Sequence, residues 1–131
     1  MSLSARVFGR FAVVGATGLP VTLGANHLLH AWLGLPTALS TALSVEAAIC
    51  TNFLGNEWWA FRGPARASRT PIVRRFLKFN AACSVGLVVT TAVTTLGASV
   101  VGEGELALAN LIGIGAGMAW NFLASSRWTW S

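Results

Sequence analysis

The chain has 131 residues, of which 54% are apolar and 10% charged, and its mean hydropathy is +0.65. A soluble domain carries roughly a quarter charged residues, so this composition excludes a water-covered globule and points to a bilayer as the solvent. Nine Lys and Arg against four Asp and Glu give a net charge of +5, and where those charges fall says more than their sum.

Taken in chain order, Arg6 and Arg10 precede a first apolar stretch over residues 11–33. It is too long for a signal peptide, and a second apolar run follows almost at once. That second run, residues 36–56, contains a single charged residue, Glu46. Next comes a basic segment with Arg62, Arg66, Arg69, Arg74 and Arg75, then Lys78. A third run covers residues 79–101 and a fourth residues 106–126, after which Arg127 follows. Each run is long enough to cross about 30 Å of hydrocarbon as a helix. None alternates polar and apolar residues as a barrel strand would. The two remaining connections, residues 30–36 and 102–105, lack Lys and Arg, and the second contains Glu103 and Glu105. By the positive-inside rule both termini and the central segment face the cytoplasm. The expectation is an all-α membrane protein in the cytoplasmic (inner) membrane. Its four transmembrane helices form two helical hairpins, residues 10–61 and 76–130, joined by a basic cytoplasmic loop over residues 62–75.

The hairpins resemble each other. The first closes on Asn52-Phe53, Asn56, Trp59 and Phe61, and the second on Asn121-Phe122, Ser125, Trp128 and Trp130. The first opens with Arg10-Phe11 and the second with Arg75-Phe76. Since each hairpin begins and ends on the cytoplasmic side, the repeat is parallel. Interfacial enrichment accounts for the Trp content, but not for an Asn-Phe pair at the same distance before each aromatic cluster. A duplicated unit with a shared role does.

The motif N-F-x-x-N-x-x-W-x-F-R at residues 52–62, R-F-x-K-F at 75–79 and the terminal W-N-F-x-x-x-x-W-x-W resemble the GtrA-like family over nearly the whole chain. Ala60 stands where many members have Thr. The resemblance implies a four-helix membrane protein of cell-surface polysaccharide synthesis, implicated in moving polyprenyl-phosphate-linked sugars across the membrane.

Glu46, halfway along the second span, is costly in hydrocarbon and a functional candidate on that ground. Eleven residues make close to three helical turns, so Glu46 and Glu57 are expected on one face. Asn110, Gly113, Gly117 and Asn121 are expected as one stripe of the fourth span, where small residues let a neighbouring helix approach. Arg10, Arg62, Arg75 and Lys78, beside the aromatic clusters at span ends, are candidates for phosphate recognition, Arg by its planar fork and Lys as a point charge. The alternative for them is snorkelling to the interface. Arg66 and Arg69 are read as attracted to anionic lipid. Asn52, Asn56, Glu57, Trp59 and Asn121 are candidate contacts for a sugar; Trp58, Trp59, Trp128 and Trp130 can each stack on a sugar ring, with interface anchoring the preferred reading of all four. His27 and His30 are read as interface residues, and Cys50 and Cys83 as small buried hydrophobes. No nucleophile–base pair, metal-ligand spacing or nucleotide fingerprint is present, so no enzyme, cofactor, metal or nucleic-acid partner is expected.

One chain leaves little room for a polar sugar path, which suggests a homodimer with both copies in the same orientation. Two rival readings stay open: a small proton-coupled exporter resembling the small multidrug-resistance proteins, with Glu46 as the coupling carboxylate, and a membrane anchor that recruits a glycosyltransferase.

Overall fold

A computed structural model describes residues 3–63 and 69–131; Arg66 lies outside the described residues. Helix α1 (Leu3–His27) runs on into a wide π-type turn, Leu28–Trp32. Helix α2 (Thr37–Gly55) ends in a second such turn, Asn56–Ala60. Helix α3 (Ile72–Val101) is followed by a short 3-10 turn, Glu103–Glu105. Helix α4 (Leu106–Ala124) ends in a third wide turn, Ser125–Thr129. The described residues contain no strand.

Four segments, Ser4–Trp32, Thr37–Ala60, Ile72–Val101 and Ala107–Thr129, are long and apolar enough to cross a bilayer. Hydrocarbon offers backbone groups no partner, and a helix satisfies its own. The protein is therefore a multi-pass, all-helical membrane protein.

The helices outrun the apolar stretches. Residues 72–75, expected in the basic loop, already belong to α3, and α1 begins well before residue 11. Hydropathy reports where hydrocarbon ends, whereas a helix ends where its backbone is stopped. Pro71 (φ −56°, ψ 147°) and Pro36 (φ −55°, ψ 144°) stand just before α3 and α2, where the N–H that proline lacks would have no helical acceptor. The connections that follow α1 and α3 pass through Gly34 and Gly102, whose φ of +68° and +88° lie in the region that only glycine enters freely.

The chain divides into two compact units, Met1–Arg66 and Ala67–Ser131, each built on one hairpin. In the first, Val7, Phe11, Val14 and Gly18 are the buried positions of α1, and Ser40, Ser44, Ala48 and Phe53 those of α2. Steps of three and four residues put the α1 set, and Ser40, Ser44 and Ala48 of α2, each on one helix face. In the second, Arg75, Phe79, Ala82 and Gly86 are buried on α3, and Ala109, Gly113 and Gly117 on α4.

These two patterns coincide at most positions, Phe53 and Glu57 being buried where Phe122 and Ser126 are only half-buried. Adding 68 to the buried positions 7, 11, 14 and 18 gives 75, 79, 82 and 86, all buried. Adding 69 to 40, 44, 48, 56, 60 and 61 gives 109, 113, 117, 125, 129 and 130, again all buried. The duplication is thereby registered, and it corrects one pairing: Arg10-Phe11 corresponds to Lys78-Phe79, not to Arg75-Phe76.

One further expectation fails: the seam of α4 steps by four residues through Ala109, Gly113, Gly117 and the part-buried Asn121, leaving Asn110 exposed. Glu46 and Glu57 differ in burial, Glu46 being exposed and Glu57 only 2% exposed. Glu57 stands in the wide turn that begins at Asn56, closed by the Phe61 N–H to the Asn56 carbonyl at 2.9 Å.

The seams differ in closeness. A Cβ on Gly113 would lie 2.8 Å from the Thr90 carbonyl oxygen and collide with Thr94 Oγ1. One on Gly117 would meet Thr90 Oγ1 and stand 3.1 Å from the Gly86 carbonyl oxygen. Hairpin one carries Ser44 and Ala48 at those two positions. Without a hydrophobic drive between helices in lipid, close approach through small residues is what holds them. The Trp120 indole also bridges α4 to α3, donating to the Ala82 carbonyl at 3.1 Å.

Candidate functional site

The repeated closing signature has a division of labour. Its last aromatic points inward: Phe61 meets Phe11 edge-on at 6.2 Å between centroids, and Trp130 meets Phe79 at 5.5 Å. Pairs of this geometry contribute about 0.5–1.5 kcal/mol beyond burial. Trp130, 1% exposed, is therefore a packing residue and not an interface anchor. Its asparagine lies against the glycine of the opposite helix. A Cβ on Gly18 would be 2.9 Å from Asn52 Nδ2, and one on Gly86 would collide with Asn121 Oδ1. The Oδ1 atoms of Asn52, Asn56 and Asn121 are buried and accept no hydrogen bond.

The middle aromatic, by contrast, stays at the surface and meets a cation from the first helix. Arg10 lies over the Trp59 ring at 5.7 Å, and its Nη1 donates to the Trp59 carbonyl at 3.3 Å. Lys78 lies over the Trp128 ring at 5.7 Å, and its Nζ donates to the Trp128 carbonyl at 2.9 Å. The chemistry is the same in both. The last carbonyls of a helix lack backbone donors, the negative end of its dipole attracts a cation, and the indole face adds about 0.5–1 kcal/mol at an exposed site.

Hairpin one adds a concavity. Arg6, Gly9, Arg10, Val13 and Trp59 line an open groove of about 380 Å³. Arg6 and Arg10 are one helical turn apart on α1, so both guanidinium groups serve the same side. Arg10 spends one N–H on Trp59 out of five. Two planar cations and an indole around an open groove suit a phosphate ester carrying a polar ring.

The expected site residues thus separate. Arg10 and Trp59 come together in the groove, with Lys78 in the equivalent place of the second hairpin. Arg62 is exposed at the end of hairpin one and is not part of the groove wall. Arg75 is 3% exposed and donates to the Thr70 carbonyl, at the position where hairpin one has Val7. Asn56, 1% exposed, and Glu57 are enclosed within hairpin one. Asn52 and Asn121 are half-buried in their own seams. Glu46 is exposed on α2. His30 ties the outer turn, its Nδ1 2.8 Å from the Leu35 carbonyl oxygen, and Cys50 and Cys83 are half-buried thiols that form no disulfide among the described residues.

Sequence reading missed Arg6 as a site residue. The signal was the spacing Arg6-x-x-x-Arg10, which puts both on one helix face only if α1 extends past its apolar stretch.

A family model described as GtrA/DPMS, transmembrane domain, matches residues 10–130. No curated protein matches the chain.

Proposed function

Given that the chain belongs to the GtrA/DPMS transmembrane-domain family, we propose that it binds a polyprenyl-phosphate-linked monosaccharide at the cytoplasmic face of the inner membrane. It then assists the crossing of that lipid to supply cell-surface polysaccharide synthesis. The observation that carries this reading is the groove of Arg6, Arg10 and Trp59. A phosphodiester accepts hydrogen bonds from the two guanidinium groups, and the indole offers a face to the sugar. The polyprenyl chain needs only the apolar helix faces. The groove lies on the basic flank of the spans, the side that positive charge assigns to the cytoplasm.

The working unit in this reading is a homodimer with both copies in one orientation. One chain of four spans leaves little room for a polar sugar path, which a second copy would widen.

The test is vesicle reconstitution with a polyprenyl-phosphate-linked sugar in the outer leaflet, followed by the rate at which the sugar is protected from an external enzyme. Protein-containing vesicles are expected to exceed empty ones at least tenfold. Unchanged crossing, together with capture of a glycosyltransferase through the basic segment, would overturn the proposal in favour of a membrane anchor. Proton-coupled cation efflux abolished by Glu46→Gln, with lipid crossing unaffected, would favour the exporter.

A further inference from the structure

The register of the duplication has a chemical consequence. Adding 68 to Arg6 and Arg10 gives Arg74 and Lys78, so each first helix carries two cations one turn apart. Adding 69 to Trp59 gives Trp128. In each hairpin the second cation of the pair is over that Trp ring at 5.7 Å and bonded to its carbonyl. Capping a helix end accounts for one cation per hairpin. It leaves unexplained the second, exposed one a turn away in both copies, at Arg6 and Arg74, and the surface position of both indoles, 45% and 47% exposed.

We propose that the protein has a second anion-binding site, formed by Arg74, Lys78 and Trp128, which takes a phosphate ester as the Arg6–Arg10–Trp59 groove does, so that one chain holds two. The proposal rests on the headgroup role given to the first groove. The second site is the weaker. Lys78 offers a point charge where Arg10 offers a planar fork, and it spends one of its three donors on Trp128.

The experiment counts undecaprenyl phosphate bound per chain by native mass spectrometry of the intact protein in detergent. Two lipids are expected on the wild type, the second at least fivefold weaker. One is expected on Arg6→Ala/Arg10→Ala and one on Arg74→Ala/Lys78→Ala. Lys78→Arg, which keeps the charge and the contact to Trp128, is expected to bind two. Arg74→Glu alone, at an exposed position that leaves Lys78 on Trp128, is expected to weaken the second step more than tenfold. An unchanged second step there, or two lipids on Arg74→Ala/Lys78→Ala, overturns the second site. A wild type that binds one lipid, lost in Arg6→Ala/Arg10→Ala, overturns it while leaving the first site standing; no bound lipid overturns both. Millimolar inorganic phosphate is expected to displace neither lipid, and displacement of the second would make that site one for free phosphate and overturn its assignment to a lipid ester.

Discussion

The two hairpins share a plan and spend it differently. Hairpin two is the closer-packed one: Gly113 and Gly117 let α4 approach Thr90 and Thr94 of α3 with no room for a methyl group, where hairpin one accommodates Ser44 and Ala48. Hairpin one carries an open groove walled by two arginines and an indole. Hairpin two replaces the second of those arginines by Lys78 and buries Arg75 where the first has Val7. After duplication, the positions that hold the aromatic closure stayed alike, while seam width and cation identity diverged. The closest helix seam and the open cationic groove thus fall on different copies of one unit.

The seam difference is the one most easily broken. Gly113→Ala is expected to destabilise by about 1–3 kcal/mol, the usual cost of overpacking, because a backbone carbonyl blocks the new methyl. Ser44→Ala, at the equivalent place in hairpin one, is expected to cost less than about 1 kcal/mol, since Ser44 Oγ bonds only the Thr41 carbonyl of its own helix, at 2.9 Å. Thermal unfolding in detergent micelles measures both, and equal losses would mean the seams do not differ in closeness.

Charge comes next. Arg10→Ala removes a charge-assisted donor and is expected to weaken lipid-phosphate binding by about 1.5–2 kcal/mol, more than tenfold. Lys78→Ala is expected to leave the first binding step within about twofold. A titration in which both variants weaken that step equally would remove the distinction between the copies.

Smaller still, Trp59→Leu forfeits the ring beneath Arg10. About 0.5–1 kcal/mol is expected, roughly a two- to fivefold loss in affinity for the sugar-bearing lipid, and no change would take the indole out of the site.

The smallest effect is expected at Thr129, whose buried Oγ1 has no hydrogen-bond partner and whose equivalent in hairpin one is Ala60. Thr129→Val keeps the shape and discards the orphaned hydroxyl, so it is expected to leave stability unchanged or raise it by up to about 1 kcal/mol. A loss above 1 kcal/mol would show that the hydroxyl is satisfied within the protein.

Much of this architecture is legible in the residues. Four apolar runs, the distribution of basic residues and the twin Asn-Phe signatures convey the helices, the expected orientation and the duplication. The register is not legible, because as letters Arg75-Phe76 matches Arg10-Phe11 better than Lys78-Phe79 does, and only burial reverses the choice: Phe79 is 2% exposed and packs on Trp130. The different burial of Glu46 and Glu57 is not legible for another reason, since spacing reports which face of a helix a residue takes and not what packs against that face at its depth. Arg6 was overlooked because hydropathy ends the first span at Phe11, whereas its helix continues to Leu3. Each miss lies at the border between hydrocarbon and water, where the helix and the apolar stretch cease to coincide, and that border is where the groove lies.

The most direct test of the central claim compares Arg10→Ala with Arg62→Ala in vesicles charged with a polyprenyl-phosphate-linked sugar. Both remove one arginine from the same end of hairpin one, but only Arg10 belongs to the groove. Crossing slowed at least tenfold by Arg10→Ala and less than twofold by Arg62→Ala is the predicted result. Equal slowing by the two, or none by either, would contradict it.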